Sequence, residues 1–160
     1  MTGKADYTDE EWNRLRRAPF VAGMAISLAD PGGPIEMSHE TIATLKEAST
    51  PPSREQLLLE VSQDIMSMVN QKQNPLAGFK PDRSAPAGTW VLDELSAVND
   101  VLLAKATPEE ADGFRRWLLD VAQGAADAAK EGGFMGFGAE RVSEGEQGML
   151  DQLRSKLGVS

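Results

Sequence analysis

The chain has 160 residues, no cysteine and a formal net charge of −9. A chain of this length predicts a single domain, and the lack of cysteine excludes disulfides and thiolate metal sites. The acidic balance disfavours nucleic acid as a partner, and no apolar run approaches the length of about 18 residues that predicts a membrane span.

Residues 1–7 precede the first helix signal, and we expect them to form a disordered tail. The opening sequence MTGKADYTDEEW is polar and acidic. It lacks the basic start and apolar core of a secretion signal. Together with the absence of cysteine, this favours a cytoplasmic protein.

A capping box at Thr8–Glu11 predicts the start of the first helix, because the two side chains can satisfy free backbone N–H groups. Pro19 predicts a break near residues 17–18, since proline removes a hydrogen bond and clashes with the preceding turn. A second helix should then run from Pro19 to about Ala29. Apolar residues cover most of its circumference, which predicts a central, buried helix.

The strongest basic cluster of the chain lies in the first predicted helix. It consists of Arg14, Arg16 and Arg17, and acidic residues 9–11 precede it. This pattern is typical of a solvated helix face. It does not predict a nucleic-acid surface.

Cap residues predict that later helices begin near Ser38, Ser53, Thr107 and Ser143, and apolar periodicity predicts a further helix from about Thr89 to Lys105. The segment 71–88 contains prolines and glycines throughout and predicts a long loop. Apolar and polar residues never alternate over a sustained stretch, so no strand is predicted. We therefore expect an all-α fold with about six or seven helices in one domain over residues 8–160.

Two stretches of the chain share one plan at an offset of one hundred residues. Val21-Ala22 aligns with Val121-Ala122, and Gly32-Gly33 then aligns with Gly132-Gly133. Each stretch is a buried helix, a Gly-Gly turn, a serine cap and a shorter amphipathic helix. This predicts two pseudo-repeated units, roughly 8–49 and 107–160, joined by 50–106, although chance could also produce part of the pattern.

This arrangement resembles the tellurite-resistance TerB-like fold, an all-helical family of paired helix–turn–helix units. The likeness rests on Asp30, Gly32, Ser38, Glu40, Gly132, Gly133, Ser143, Glu144 and Glu146. In this sequence Asp30 is followed by proline where the family has glycine. The segment GGFMGFGAERVSEGEQ also resembles the tails of uncharacterised bacterial proteins. The TerB-like resemblance implies a role linked to stress response.

The Gly-rich turn after the second buried helix is the first candidate site. Its candidate binding residues are Gly132, Gly133, Phe134, Met135, Gly136, Phe137, Gly138 and Arg141. Glycines allow a backbone to approach a ligand closely, and N–H groups at a helix start can bind an anion. In the alternative interpretation the glycines only satisfy turn dihedral angles, while the phenylalanines pack on the core.

Acidic residues around the two Gly-Gly turns are candidate ligands for a divalent cation such as calcium. They are Asp30, Glu40, Glu140 and Glu144. No other cofactor is predicted. The simpler interpretation is that acids at a helix start cap the backbone and complement its dipole. His39 is the only histidine, so a transition-metal site is not expected. No set of residues predicts catalysis.

These patterns favour a non-enzymatic interaction or adaptor module over an enzyme. Its contact surface would include the turn 132–138 and the loop 71–88, and the partner would be another protein. A homodimer is also possible through the helix 89–105, where Trp90 and the pair Leu102–Leu103 are available. The alternative is a domain that binds a small ligand or a divalent cation in a pocket between the two helical units.

Overall fold

The computed structural model describes residues 2–29, 44–73, 76, 87–131 and 144–158. A 3-10 turn, Lys4–Asp6, precedes the helices α1 (Asp9–Ala29), α2 (residues 44–48), α3 (Gln56–Asn70), α4 (Ala87–Lys105), α5 (Pro108–Glu131) and α6 (Glu144–Leu157). No strand occurs in this part of the chain, so the predicted all-α class is confirmed. Both Gly-Gly turns and their serine caps lie outside the described residues, and the pseudo-repeat stays a prediction.

Helix α1 runs without interruption through Pro19, so the predicted break at residues 17–18 is wrong. An interior proline costs about 3 kcal/mol in an isolated helix. Here apolar residues are buried on both sides of it, including Trp12 and Leu15 before it and Val21 and Ile26 after it. Burial of several such side chains stabilises by about 1.5–3 kcal/mol each, which outweighs the cost of the proline.

The core is centred on α1 and α5, which share the most extensive contact of any two elements. Both helices bury several small side chains. They are Ala18, Ala22 and Ala25 on α1 and Ala122, Ala125 and Ala126 on α5, all fully buried. Because alanine side chains extend little from the backbone, they allow neighbouring helices to approach α1 and α5 closely.

The short helix α2 lies over this pair and contacts it at two glycines. A Cβ atom on Gly23 of α1 would lie 2.8 Å from Thr44 Cγ2, and one on Gly124 of α5 would lie 2.9 Å from Glu47 Cγ. Trp117 of α5 also donates its indole N–H to the Glu47 carbonyl at 2.9 Å. Glycine is therefore required at residue 23 because the Thr44 side chain occupies the space beside it.

We expect Gly23→Ala to lower the free energy of unfolding by about 1–2 kcal/mol, as overpacking does. The new methyl group would also lie 3.1 Å from Thr44 Cβ, so a rotation of that side chain cannot relieve the contact. Chemical denaturation measures the change. Gly148→Ala in α6 is the matched control, since no described atom lies within 4 Å of its Cβ position. This control should gain about 0.5–1 kcal/mol from helix propensity, and a similar gain for Gly23→Ala would contradict the packing described here.

The expected disordered tail at residues 1–7 is wrong for residues 2–7, which fold onto the helices. Tyr7 is only 7% exposed, and its ring lies 5.9 Å from that of Trp12. The Thr2 backbone N–H and hydroxyl donate to the Glu110 carboxylate, each at 2.9 Å. This polar segment is held by Glu110, which lies more than one hundred residues further along the chain. The local sequence therefore did not predict that residues 2–7 are ordered.

Glu110 joins three parts of the fold. It forms a capping box with Thr107, the predicted cap residue of α5, and its side chain also accepts the N–H of Leu57 at 3.1 Å. That hydrogen bond serves the first turn of α3. The cap predicted at Ser53 is therefore wrong, because Glu55 occupies the N-cap position without a side-chain hydrogen bond and a distant glutamate supplies the acceptor.

The three arginines of α1 do not form the solvated face that the sequence favoured. Arg17 is 8% exposed, and its Nη2 lies 3.0 Å from Glu94 Oε1 of α4. Arg14 Nε lies 3.4 Å from the same oxygen. Arg16 donates from Nη1 to Asp64 Oδ2 of α3 at 2.9 Å. The partners come from other helices, so the local acids at residues 9–11 did not identify them.

Candidate functional site

Most residues predicted to form a site lie outside the described part of the chain. This holds for the turn Gly132–Gly138, for Arg141, and for Asp30, Glu40 and Glu140. Glu144 begins α6, but its side chain is not described. The predicted Gly-rich binding turn and the predicted acidic metal site therefore stay predictions.

A concave surface among the described residues forms a cleft of about 450 Å³ between α5 and α6. Its lining residues are Pro52, Arg116, Leu119, Asp120, Gln123, Leu150 and Arg154. We call it the α5–α6 cleft. Its volume lies within the range of about 300–1,000 Å³ that is typical of ligand sites. Both helices belong to the predicted unit 107–160.

Helical periodicity explains how the cleft is built. Four lining residues of α5 follow one another at steps of three, one and three, which places them on one face of the helix. The opposite side of α5 carries Phe114, Trp117 and Leu118 in the core. From α6, Leu150 and Arg154 lie one turn apart, and only Leu150 is buried. The cleft is thus lined by polar and apolar side chains on two well-packed helices.

Two guanidinium groups give the cleft its positive charge. Arg154 Nη1 lies 3.4 Å from Asp151 Oδ1, but both side chains are exposed, and such surface pairs contribute little. Among the described residues, no hydrogen bond or ion pair includes the Arg116 guanidinium, which acts on Asp120 through its charge alone. Both arginines can therefore turn toward an incoming anion at small cost.

Asp120 lies on the same wall as Arg116. Partial burial raises the pKa of the Asp120 carboxyl above its ordinary value, and the nearby charge of Arg116 only partly offsets this effect. A carboxyl with a raised pKa in a cleft is a feature of many functional sites. The lining residues include no serine, threonine, histidine or second carboxyl. The cleft is therefore suited to binding, and its residues form no nucleophile–base pair.

Asp120→Asn is expected to raise the melting temperature at pH 7 only slightly, because Asp120, like Asp100, is exposed to solvent, which screens its charge. A folded-state pKa above the unfolded value means that folding penalises the ionised carboxylate, so its contribution is favourable at low pH and is lost as the pH rises through the folded pKa. The difference between variant and wild type should shrink below the ordinary pKa of 3.8. Thermal unfolding against pH measures it. Asp100→Asn on the exposed side of α4 is the control, and a lower melting temperature for Asp120→Asn at pH 7 would contradict this electrostatic account.

A second, smaller pocket of about 260 Å³ lies between α3 and the amino-terminal segment. Asp64 is its central charge and accepts hydrogen bonds from Trp12 Nε1 at 2.8 Å and from Arg16 Nη1 at 2.9 Å. Burial opposes ionisation of Asp64, but these hydrogen bonds and the charges of Lys4 and Arg16 outweigh it and lower the pKa. Because Asp64 is already paired with Lys4 and Arg16, its charge is less available to a ligand than the charges that line the α5–α6 cleft.

The surface of α4 offers less to a partner than the sequence suggested. Leu102 is fully buried and Trp90 packs against the core, so only Leu103, which is 67% exposed, is available from the predicted dimer face. One exposed leucine does not form an apolar patch.

The described residues also contain no group of three or more His, Cys, Asp or Glu side chains that could hold a metal ion. None of the described helices has the length and apolar character needed to span a bilayer.

Comparisons with protein-family models, with curated proteins and with solved structures found no match to this chain. The TerB-like resemblance therefore rests on residues 30–40 and 132–146 alone.

The α5–α6 cleft was not predicted from the sequence. Its signal on α5 was present, since Arg116, Asp120 and Gln123 recur on the face opposite the core residues. The contribution of Arg154 and Pro52 could not be read, because it depends on how α6 and the segment before α3 pack against α5.

Proposed function

We propose that this chain is a non-enzymatic interaction module that holds a partner protein in the α5–α6 cleft. The observation that carries the proposal is a concave surface with two arginines from two helices, in a protein whose net charge is −9. The cleft is lined by Arg116, Arg154 and Asp120, so an anionic group of the partner would contact the two guanidinium groups.

The position of the cleft supports this role. Its walls belong to α5 and α6, and Leu118, Leu150 and Leu153 anchor these helices in the core. Because the helix backbones are already fixed, binding would order only the side chains of the cleft and not its backbone. The stress-related role implied by the TerB-like resemblance is part of this proposal, although the comparisons lend it no support.

A small anionic ligand is the second candidate for the same cleft, and its volume of about 450 Å³ favours it. The divalent-cation alternative depends on the acids of the two Gly-Gly turns. A thermal-unfolding titration with calcium tests that alternative directly, because an ion that binds only the folded state raises the melting temperature.

The experiment for the proposed function compares the partners retained by immobilised wild-type chain and by the double variant Arg116→Gln/Arg154→Gln. A protein that is retained by the wild type, lost by the double variant and kept by Lys156→Gln would support binding through the cleft. Lys156 is the matched control, because it is an exposed cation of α6 outside the cleft. Equal retention by all three chains would overturn the proposal.

A further inference from the structure

We infer that residues 2–7 form a strap that the Glu110 carboxylate holds against the helices and that detaches when this carboxylate is protonated. The strap is a conformational device of the fold, and it includes no residue of the α5–α6 cleft. Its test is therefore independent of the function proposed above.

The strap is held together by its own hydrogen bonds. The Asp6 N–H donates to the Gly3 carbonyl at 2.9 Å, and the Tyr7 N–H donates to the Lys4 carbonyl at 3.2 Å. The Gly3 N–H donates in turn to Asp6 Oδ2 at 2.9 Å. Tyr7 is extended, with φ −117° and ψ 152°, and the cap Thr8 of α1 follows it. The strap can therefore move as one piece about the junction between Tyr7 and Thr8.

Glu110 is the point at which the strap is attached. In the described part of the chain, two hydrogen bonds join the strap to the helices, and both run from Thr2 to Glu110 at 2.9 Å. The Thr2 hydroxyl also lies 2.8 Å from the Tyr7 hydroxyl, so both ends of the strap meet at this point. Lys4 Nζ lies 3.8 Å from Asp64 Oδ2, but the Lys4 side chain is 60% exposed, and such a pair contributes little.

A protonated Glu110 cannot serve all of its donors. Its Oε2 accepts the N–H groups of Thr2 and Leu57, and its Oε1 accepts the Thr2 hydroxyl and the Thr107 N–H. Each oxygen thus serves one donor of the strap and one donor at a helix start. Protonation turns one oxygen into a donor with less acceptor capacity, so these two donors compete for it. The helix N–H groups are fixed by α3 and α5, whereas the Thr2 donors can turn to water, and the strap therefore detaches first.

The direction of the pH effect follows from the hydrogen bonds. Burial opposes ionisation of Glu110, but the hydrogen bonds from Thr2, Thr107 and Leu57 outweigh it and lower the pKa below its ordinary value of 4.5. Detachment removes two of these bonds and returns the pKa of Glu110 toward that value. The attached strap is thus favoured above the pKa of the detached state, and this preference is lost as the pH falls through the pKa of the attached state.

The other charged groups on this side of the fold do not replace Glu110 as the point of attachment. Burial and the charges of Glu110, Asp6 and Glu11 raise the pKa of Tyr7, so its hydroxyl stays neutral throughout the acid range. Lys105 of α4 pairs with Glu11 of α1, and its Nζ lies 5.9 Å from the centre of the Tyr7 ring. Asp6 accepts the N–H of a residue of the strap itself, so its protonation loosens the strap without detaching it.

Two carboxylates of α3 and one of α5 complete these surroundings. A Cβ atom on Gly3 would meet the Glu60 side chain, so Glu60 lies against the strap. Asp64 accepts the Trp12 indole N–H and pairs with an arginine of α1, and both contacts are independent of the strap. Glu109 precedes Glu110 on α5 and is exposed.

Detachment opens one face of the protein. Tyr7 and Trp12 are buried while the strap is attached, with their ring centres 5.9 Å apart. Lys4 is the contribution of the strap to the pocket of about 260 Å³ beside α3. This pocket therefore loses one wall, and the neighbouring aromatic surface becomes accessible, when the strap leaves.

NMR relaxation of the full chain, labelled with 15N, tests the inference. Backbone order parameters of the strap should be about 0.85 at pH 7, as in the helices, and should fall below about 0.6 as the pH decreases from 4.5 to 3. Core amides such as those of Leu118 and Val121 should keep their order parameters over the same range. The strap therefore has a transition of its own, which precedes any unfolding of the helices.

Thr2→Val removes one donor of the strap and leaves Glu110 and both helix N–H bonds in place. It should lower the ratio of attached to detached strap about 10-fold, as loss of a hydrogen bond to a charged group does. Attachment falls about tenfold per pH unit where detachment takes up one proton, so the midpoint should rise by about one pH unit. Asp6→Asn is the matched control, because it removes a carboxylate of the strap that bonds Gly3 and not Thr2. It should leave the midpoint unchanged.

Loss of order in the strap and in the helices at one pH would overturn the inference, because the strap would then belong to the global unfolding transition. The same holds if Asp6→Asn moves the midpoint as far as Thr2→Val does. Glu110→Gln removes the titrating group, so its strap should be detached already at pH 7, and an ordered strap in this variant would also contradict the inference. If Glu110→Gln fails to fold, Thr2→Val decides alone, since it keeps every helix cap.

Discussion

Glu110→Ala should lower the free energy of unfolding by about 3–4 kcal/mol, because it removes an acceptor that serves three parts of the fold. Glu110 is fully buried and accepts hydrogen bonds from the N–H and hydroxyl of Thr2 and from the N–H groups of Leu57 and Thr107. The Leu57 N–H is buried and would have no other acceptor among the described groups. Urea denaturation measures the loss.

Two further variants separate the role of the Glu110 side chain from a general effect of charge. Glu109→Ala removes an acidic residue from the same helix turn, but Glu109 is exposed and should cost less than about 1 kcal/mol. Glu110→Gln keeps one oxygen acceptor and turns the other into a donor, so its cost should lie between those of the two alanine variants. Equal losses for Glu109→Ala and Glu110→Ala would show that Glu110 does not join these elements.

The same residue should make stability depend on pH. Burial opposes ionisation of Glu110, but its hydrogen bonds from Thr2, Thr107 and Leu57 outweigh burial and lower the pKa below its ordinary value of 4.5. A lowered folded pKa contributes stability above the unfolded pKa, and this stability is lost as the pH falls through the folded pKa. The wild type should therefore lose stability below pH 4.5, and Glu110→Gln should show a shallower loss. Identical pH profiles for the two chains would contradict this assignment.

Trp117→Ala should cost about 3–5 kcal/mol, the range for truncation of a large buried aromatic side chain. Trp117 is fully buried in α5, and its ring makes an edge contact with Phe114 at a centroid distance of 5.4 Å. Its indole N–H donates to the carbonyl of Glu47 at the end of α2. The substitution therefore leaves a cavity in the core and removes one attachment of α2. Thermal or chemical unfolding measures the cost.

Trp117→Phe distinguishes the two parts of that cost. It keeps an aromatic ring but loses the hydrogen bond, and the Glu47 carbonyl still accepts the Thr50 N–H at 3.1 Å. We expect a loss of about 1–2 kcal/mol, with hydrogen exchange in residues 44–50 faster than in the wild type. A loss as large as that of Trp117→Ala would mean that the hydrogen bond to α2, and not the packing, dominates the role of this tryptophan.

The sequence predicted the elements of this fold best where the signals were local. The predicted capping box of Thr8 with Glu11 is present as reciprocal hydrogen bonds, and the predicted cap residue Thr107 accepts the N–H of Glu110. These motifs involve residues only three positions apart, so their geometry depends little on the rest of the chain.

The wrong predictions share a tertiary cause. Pro19 was expected to end a helix, but the packing of α1 on α4 and α5 keeps it continuous. Residues 2–7 were expected to form a disordered tail, but Glu110 holds them from the other side of the sequence. No local pattern contains this information, because each outcome depends on residues that only the fold brings together.

The candidate site illustrates the same limit. The face of α5 with Arg116 and Asp120 was visible in the sequence, yet an exposed polar face is the usual appearance of any surface helix. This face of α5 becomes one wall of a cleft because α6 places Leu150 and Arg154 on the other side. Which of many polar faces lies opposite another helix is decided by packing.

The arrangement of α1 also has a consequence for how the protein is made. Its main partners are α4 and α5, and α5 ends about 100 residues after α1 does. At synthesis rates of about 5–20 residues per second, the ribosome needs about 5–20 s to add that length. Throughout this interval the apolar side of α1 has emerged before its partners, so chaperones that shield nascent chains should determine how much of this protein reaches the folded state.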